Sequence, residues 1–385
     1  MMPRAYRAEL IVKLLLIIRQ QIDYRGAIML DIYGTIGPAC RETAVLQKMF
    51  EAGMTGIRLN LSHVTLEESA PLIENLHKAA AEAGVSPQLL IDMQGPELRV
   101  GSMEPLLLHE GEKVFLGNQC SIAVRENGSA DDSDTTHDAG SLQPLPKVPV
   151  PDSIVPFLAE GQEVLLDDGK ILLEVSAQTE GGAFCRIIRG GTLTGRKSVA
   201  LPGVSIRTPT MTETDFANIR VAKNFGVTAV MQPFVRDRQD IETVRQALYE
   251  AGAGDIRIFA KIENMDGVKY LDELLPVSDE IVIARGDLGN AVPLWELPAV
   301  QKMIAEKCRN ADVPFMVVTQ MLASMEKSAV PTRAEVSDIF NAVLDGASSV
   351  MVTGETAVGQ YPVDVISYLA KTAACAEEFR GLSQK

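Results

Sequence analysis

The sequence predicts an α/β fold: a (β/α)8 TIM barrel with an all-β domain inserted after its third strand. Two observations predict it. From Met29 onwards, eight short β-like runs alternate with longer amphipathic stretches, and that repetition gives a mainly parallel sheet with enough strands to close. One interval, residues 97–204, breaks the rhythm with β-like pieces, turn signals and no long helical period.

Taken in order, the run 30–35 leads into the amphipathic stretch 41–52, and the run 56–59 into 66–83. The third run, 88–92, opens onto the insert. Beyond it the alternation resumes with 229–232 before the stretch 240–251, then 256–261. The run 280–284 precedes 298–310, the run 314–319 precedes 333–344, and 349–352 is the eighth. Inside the insert, residues 113–116, 164–166, 171–175 and 183–188 read as strands, and Asp167-Asp168-Gly169 as a tight turn. Its centre, 126–140, is rich in Ser, Asp and Gly and reads as a solvated loop. The predicted organisation is therefore barrel over 29–96 and 205–385, insert over 97–204, and an N-terminal extension over 1–28.

Composition narrows the function. At 385 residues the chain is long for one core unless that core is a barrel, which runs to about 250 residues. An apolar share of 46% and a charged share of 23% suit a globular protein with a large core. The formal net charge of −15 argues against nucleic acid as a partner, because acidic surfaces repel phosphate backbones. A small phosphorylated substrate stays compatible, since a local basic site still binds anions. The five cysteines are far apart and lack metal-ligand spacing, as do the four histidines, which predicts reduced thiols in a cytoplasmic protein and no zinc site. The apolar run 10–18 is too short to span a bilayer. It reads either as an amphipathic surface helix or, preferred here, as a leader upstream of a natural start at Met29.

In a barrel of this kind the active site lies at the C-terminal ends of the strands. Those ends are rich in polar residues: Arg58, Asn60 and Ser62 after the second run, Asp92 and the Gly95-Pro96-Glu97-Leu98-Arg99 segment after the third. Lys261-Ile262-Glu263-Asn264 follows the fifth, Arg285-Gly286-Asp287 the sixth, Thr319 the seventh, and Thr353-Gly354-Glu355-Thr356 the eighth. Singly, each has an ordinary explanation as a surface ion pair, a turn or a helix cap. Jointly they form a coherent set. Glu263 and Asp287 are hard oxygen ligands suited to Mg²⁺. Arg58, Arg99 and Lys261 are cations able to stabilise a transferring phosphoryl group, and Gly286 lets backbone amides approach an anion. Phosphoryl transfer or enolate chemistry is the expectation.

These segments resemble the pyruvate kinase family, in family order. They include Thr35-Ile36-Gly37-Pro38-Ala39, Arg58-Leu59-Asn60-Leu61-Ser62-His63, Gly95-Pro96-Glu97-Leu98-Arg99, Lys261-Ile262-Glu263-Asn264, Ala284-Arg285-Gly286-Asp287-Leu288-Gly289, Thr319-Gln320-Met321-Leu322 and Gly354-Glu355-Thr356-Ala357. The resemblance covers residues 29–379. It implies phosphoryl transfer between phosphoenolpyruvate and ADP, giving pyruvate and ATP. By it, Lys261 stabilises the phosphoryl group and Arg58 contacts it. Glu263 and Asp287 hold Mg²⁺ or Mn²⁺. The Gly286 and Asp287 backbone and the Thr319 hydroxyl grip the substrate, Thr319 also standing near the proton delivered to the enolate. Asn60, His63, Arg99 and Lys197 face the nucleotide, while Asn60, Ser62, Asp92 and the carbonyl of Met93 hold K⁺. Glu97 occupies the position where K⁺-dependent members carry Glu. The insert corresponds to the family's mobile lid, with Asp168 at its nucleotide-facing turn. A homo-oligomer, with a dimer through 331–338, is also implied.

The chain departs from the family at Met93 and Gln94, at Pro233 in place of a serine, at Asn290-Ala291 in place of Val-Glu, and at Asp31-Ile32-Tyr33 in place of a basic strand start. The family's C-terminal effector domain is absent from the sequence, so sugar-phosphate control is not expected. Two other readings stand beside the kinase: a catalytically weak paralogue that binds phosphorylated metabolites or a partner, and a metal-dependent lyase or decarboxylase acting on pyruvate-like enolates.

Overall fold

Eight parallel strands close into a ring in a computed structural model that describes residues 30–62, 64–117, 145–204 and 206–383. The predicted N-terminal extension, His63, Cys120 and the loop 126–140 lie outside the described residues. The barrel strands are β1 (Asp31–Thr35), β2 (Gly56–Asn60) and β3 (Gln88–Asp92), then β12 (Ala229–Gln232), β13 (Arg257–Ile262), β14 (Glu280–Ala284), β15 (Phe315–Val318) and β16 (Ser349–Met351). They neighbour one another in that order, and Asp31 opposite Ser349 closes β1 onto β16.

Strands buried on both faces need apolar residues at successive positions, and β14, Glu-Ile-Val-Ile-Ala, is buried throughout. Alternate side chains serve the two sides. Tyr33, Leu90, Met231, Phe259, Val282 and Met316 form a separate inner cluster, while Ile32, Ile57, Leu89, Ile91, Ile281 and Ile283 join the larger core shared with the helices. The Tyr33 ring reaches so close to β2 that a Cβ at Gly56 would fall 2.3 Å from it, which is why that strand begins with glycine. At this lower end the acidic strand start finds its partners: Asp31 accepts from Thr55 Oγ1 at 2.9 Å and from Gln88 Nε2 at 2.7 Å.

Helix boundaries follow local chemistry. The helix Arg333–Leu344 starts where predicted, fixed by a reciprocal capping box between Thr332 and Glu335. The stretch predicted over 66–83 becomes helical only at Ala70, with Pro71 in its first turn, and ends on left-handed Gly84.

The interval after β3 contains the strands β4 (Leu106–Leu108), β5 (Lys113–Leu116), β6 (Lys147–Val148), β7 (Glu163–Leu166), β8 (Ile171–Thr179), β9 (Gly182–Arg189), β10 (Gly191–Leu193) and β11 (Val199–Ala200). Six of them form one sheet, in the order β11-β7-β8-β9-β5-β6, and β10 pairs with β4. They enclose a core of their own around Val114, Leu116, Val164, Leu166, Leu173 and Ile187. The Asp167-Asp168-Gly169 turn joins β7 to β8 with all three residues left-handed, φ 49°, 54° and 77°, which Asp and Gly adopt at least cost. No helix among the described residues is long and apolar enough to cross a membrane. Cys40, Cys185, Cys308 and Cys375 are free thiols.

Candidate active site

At the C-terminal ends of the barrel strands, β13 delivers Lys261 and, two residues on, Glu263. Lys261 Nζ stands 2.8 Å from Glu263 Oε1 and 3.3 Å from Asp92 Oδ2. Asp92 ends β3 opposite Asn60 of β2, and Arg58, two residues before Asn60, reaches the same carboxylate with Nη2 at 2.7 Å and Nε at 2.9 Å. Asp92 and Glu263 are each 3% exposed. Burial by itself raises the Asp92 carboxyl, but the Lys261 ammonium and the Arg58 guanidinium outweigh it and hold the group below its ordinary range. Burial disfavours the Lys261 ammonium, and Asp92 and Glu263 reverse that, holding its pKa above the ordinary value. Two basic and two acidic side chains thus meet in one buried cluster.

The other oxygen of Glu263, Oε2, accepts from the Phe234 amide at 2.8 Å. Phe234 has φ 51°, so a left-handed turn after β12 aims its amide at the carboxylate. Glu263 and Asp287 then line one cavity of about 250 Å³, together with Glu97 from the loop after β3 and Asp168, Gly169 and Ser198 from the insert. Asp287 has its pKa pushed up to about 8, by burial first and by the charge of Glu263 second, with Lys261 opposing. The Asp287 carboxyl therefore has less positive charge near it than its burial and the neighbouring Glu263 call for, even with Lys261 opposing. A divalent cation would supply it. No group of three or more His, Cys, Asp or Glu suited to a metal occurs among the described residues. Two carboxylates suit Mg²⁺ or Mn²⁺, which complete their shell with water and substrate oxygens, better than an ion needing an all-protein cage.

Beside this pair, Gly286 and Asp287 occupy the first turn of the helix Arg285–Ala291, whose N-cap Ala284 has no side-chain oxygen for the leading amides. A Cβ at Gly286 would lie 3.1 Å from Thr319 Cγ2 and 3.5 Å from its Oγ1, so the Thr319 side chain packs directly over this glycine. Thr319 has φ 83°, an uncommon conformation for a β-branched residue. Arg285 braces it, donating to the Thr319 carbonyl at 2.7 Å and to Asp338 Oδ1 at 2.8 Å.

A second cavity is lined by Glu97, Arg99, Asp168, Arg196, Lys197 and Ser198. Here Arg99 pairs with Glu97, and Lys197 Nζ lies 2.8 Å from Asp167 Oδ1. Burial, only partly offset by Arg99, raises the Glu97 carboxyl. On the opposite side, Asn60 Oδ1 accepts from the Ser62 hydroxyl at 2.8 Å and amide at 3.1 Å, and Gln94 Nε2 donates to the Ser62 carbonyl at 3.2 Å. Met93 is buried, its amide donating to the Met231 carbonyl at 3.1 Å.

Three features escaped the sequence reading. Asp215, fully buried, accepts from the Gln94 amide at 2.7 Å and the Gly95 amide at 2.9 Å, so it fixes the loop that carries Met93 and Glu97. Its signal was the capping box it forms with Thr212. The Phe234 amide and the Arg285 brace left no pattern to read. Conversely, the polar end of β16 turns inward: Glu355 accepts from the Thr353 and Leu322 amides, and Thr356 Oγ1 donates to the Thr35 carbonyl at 2.9 Å. These are ties within the loop and to neighbouring segments.

The family model for the barrel domain of pyruvate kinase matches residues 29–366. Curated relatives named pyruvate kinase include one from Bacillus licheniformis, 37% identical over 347 residues, covering 89% of this chain and 56% of the relative. One from Geobacillus stearothermophilus has the same identity and coverage, and one from Thermococcus litoralis is 36% identical over 357 residues, covering 91% of this chain and 70% of the relative. The chain thus spans little more than half the length of the two bacterial relatives.

Proposed function

This chain belongs to the pyruvate kinase family, and on that premise we propose that it transfers the phosphoryl group of phosphoenolpyruvate to ADP, giving pyruvate and ATP. The observation that carries this reading is the opening of Glu263 and Asp287 onto one cavity, with Lys261 2.8 Å from Glu263.

The divalent ion proposed at Glu263 and Asp287, Mg²⁺ or Mn²⁺, supplies charge neutralisation at the phosphoryl and enol oxygens when bound. The chain's own groups do the rest. The Gly286 and Asp287 amides and the Thr319 hydroxyl hold the substrate carboxylate. Lys261 and Arg58 face the phosphoryl group as it leaves the enol oxygen for the terminal phosphate of ADP, and charge stabilisation by positioned cations is the main aid such a transfer accepts. The enolate takes a proton at its methylene carbon near Thr319 and becomes pyruvate. Asn60, His63, Arg99 and Lys197 hold the nucleotide. Potassium sits with Asn60, Ser62, Asp92 and the Met93 carbonyl, and the Asn60–Asp92 register favours this grouping. The insert over 97–204 serves as a lid between the barrel segments 29–96 and 205–385, excluding water while the phosphoryl group moves.

The free thiols agree with a cytoplasmic enzyme. A homo-oligomer is proposed through the predicted contact region 331–338, and Leu294 and Trp295, 72% and 82% exposed, offer further apolar surface to a partner; light scattering reads its size. The functional test is pyruvate formation from phosphoenolpyruvate and ADP with Mg²⁺ and with K⁺ or Na⁺. Turnover abolished by Lys261→Met is the expected result. Phosphoenolpyruvate binding without turnover would identify a binding paralogue, and ADP-independent decarboxylation of oxaloacetate a lyase.

A further inference from the structure

Asp215 gathers four donors on one carboxylate. Its Oδ1 accepts from the Gln94 amide at 2.7 Å, and its Oδ2 accepts from the Gly95 amide, the Thr212 amide and the Thr212 hydroxyl, each at 2.9 Å. The residue is 0% exposed, so these bonds stand in for the water it has lost. Capping of the helix Glu213–Ala222 accounts for the two Thr212 contacts. It does not account for the two bonds to the loop after β3.

The Gln94 amide shares its peptide group with the Met93 carbonyl. That group is planar and trans, so an N–H aimed at Asp215 turns the Met93 oxygen to the opposite side. Among the described residues no backbone amide donates to that oxygen. The Met93 amide donates to the Met231 carbonyl at 3.1 Å, and the next amide along this parallel ladder would be that of residue 233, where proline has none. Gln94 Nε2 reaches the Ser62 carbonyl at 3.2 Å, so the same peptide, directly after Asp92, lies beside the segment that carries Asn60 and Ser62. A hydrogen bond from an N–H to a carboxylate also polarises its peptide and leaves more negative charge on the carbonyl oxygen. A carbonyl so aimed and polarised suits K⁺, which backbone carbonyls bind in place of water.

We infer that Asp215 is a positioning residue for the monovalent cation, aiming and polarising the Met93 carbonyl through the Met93–Gln94 peptide. The inference rests on the K⁺ site proposed at Asn60, Ser62, Asp92 and that carbonyl. Asp215 acts through the loop and not as a ligand, because its carboxylate is already engaged by four donors. Asp215→Asn keeps the shape of the side chain but removes its charge. It also leaves the two loop amides one acceptor oxygen between them and sets an NH₂ against the other amide.

Loss of the helix cap and loss of the loop anchor have to be separated. Thr212→Val removes the cap hydroxyl and leaves the bonds from Gln94 and Gly95 in place, whereas Asp215→Asn disturbs both. Wild type, T212V and D215N, each as the full chain, are compared by thermal melts over a KCl series, with ionic strength held constant by tetramethylammonium chloride. Pyruvate formation is followed over the same series, and each readout gives a K⁺ concentration of half-maximal effect. Both variants are expected to melt below wild type without K⁺. D215N raises the K⁺ midpoint about tenfold or more in both readouts, the usual scale for losing the partner behind a metal ligand, and its rate at saturating K⁺ returns towards that of wild type. T212V leaves the midpoint within about twofold. A D215N midpoint no higher than that of T212V overturns the inference. If D215N fails to fold, D215E, which keeps the charge but not the distance, carries the same comparison and the same criterion. A wild type whose melting and rate ignore K⁺ would instead refute the K⁺ reading on which the inference depends.

Discussion

Lys261 Nζ and Glu263 Oε1 stand 2.8 Å apart, two residues along a single strand end, with Asp92 on the other side of the ammonium. The lysine therefore has two duties: it faces the proposed phosphoryl site, and it compensates two nearly inaccessible carboxylates. Lys261→Met is expected to lower kcat by about a thousandfold or more, the upper range for losing one preorganised donor. It is also expected to cost about 3–5 kcal/mol of stability, because it strands buried charge. Urea unfolding beside the turnover assay checks both. Adding Asp92→Asn should recover part of the stability and none of the activity.

Asp287 gives the metal-free protein a pH dependence. Its carboxyl is raised from 3.8 to about 8, by burial first and by Glu263 second. A folded-state pKa above the unfolded one contributes stability that is complete below pH 3.8 and is lost as pH rises through about 8. Thermal melts without metal should therefore fall over that window. Mg²⁺, which binds the ionised pair, should restore the alkaline side, and Asp287→Asn should flatten the metal-free profile and remove the Mg²⁺ response. A wild-type profile unaffected by Mg²⁺ would contradict this.

Glu97, half-buried and held against Arg99, is the residue expected to make activity respond to K⁺. Glu97→Lys places an ammonium where the carboxylate sat, and turnover in Na⁺ should approach turnover in K⁺. An unchanged K⁺ response would remove Glu97 from the assignment.

The lower end of the barrel offers a contrast. Glu280, 3% exposed and bonded to Ser348 and Ser349, is raised from 4.5 to about 7 by burial, so its stabilising contribution is present below 4.5 and lost as pH rises through about 7. Glu280→Gln should be more stable than wild type at pH 8, by thermal melt, and equally active, because barrel active sites lie at the opposite end.

Much of this was legible in the sequence, for particular reasons. Strands buried on both sides must be apolar at consecutive positions, so Gln88–Asp92, Ala229–Gln232 and Glu280–Ala284 stood out with their observed limits. Lys261 and Glu263 are two apart at a strand end, and alternation alone places them on one side. What stayed hidden was contact between distant segments. Nothing in the sequence shows that Phe234 turns left-handed to donate its amide to Glu263, or that Arg285 holds the Thr319 carbonyl. Backbone groups and glycines leave no periodicity. The end of β16 shows the opposite case: its polar residues bond to neighbouring segments, and composition cannot distinguish a tie from a ligand.

The most direct test is Mn²⁺ binding to the wild type, Glu263→Gln and Asp287→Asn, followed by electron paramagnetic resonance of the free ion. The expected result is one site on the wild type that either substitution weakens at least about tenfold, since a two-carboxylate site loses half its protein ligands. Wild-type affinity retained in both variants would show that the ion, and with it the proposed phosphoryl-transfer centre, lies elsewhere.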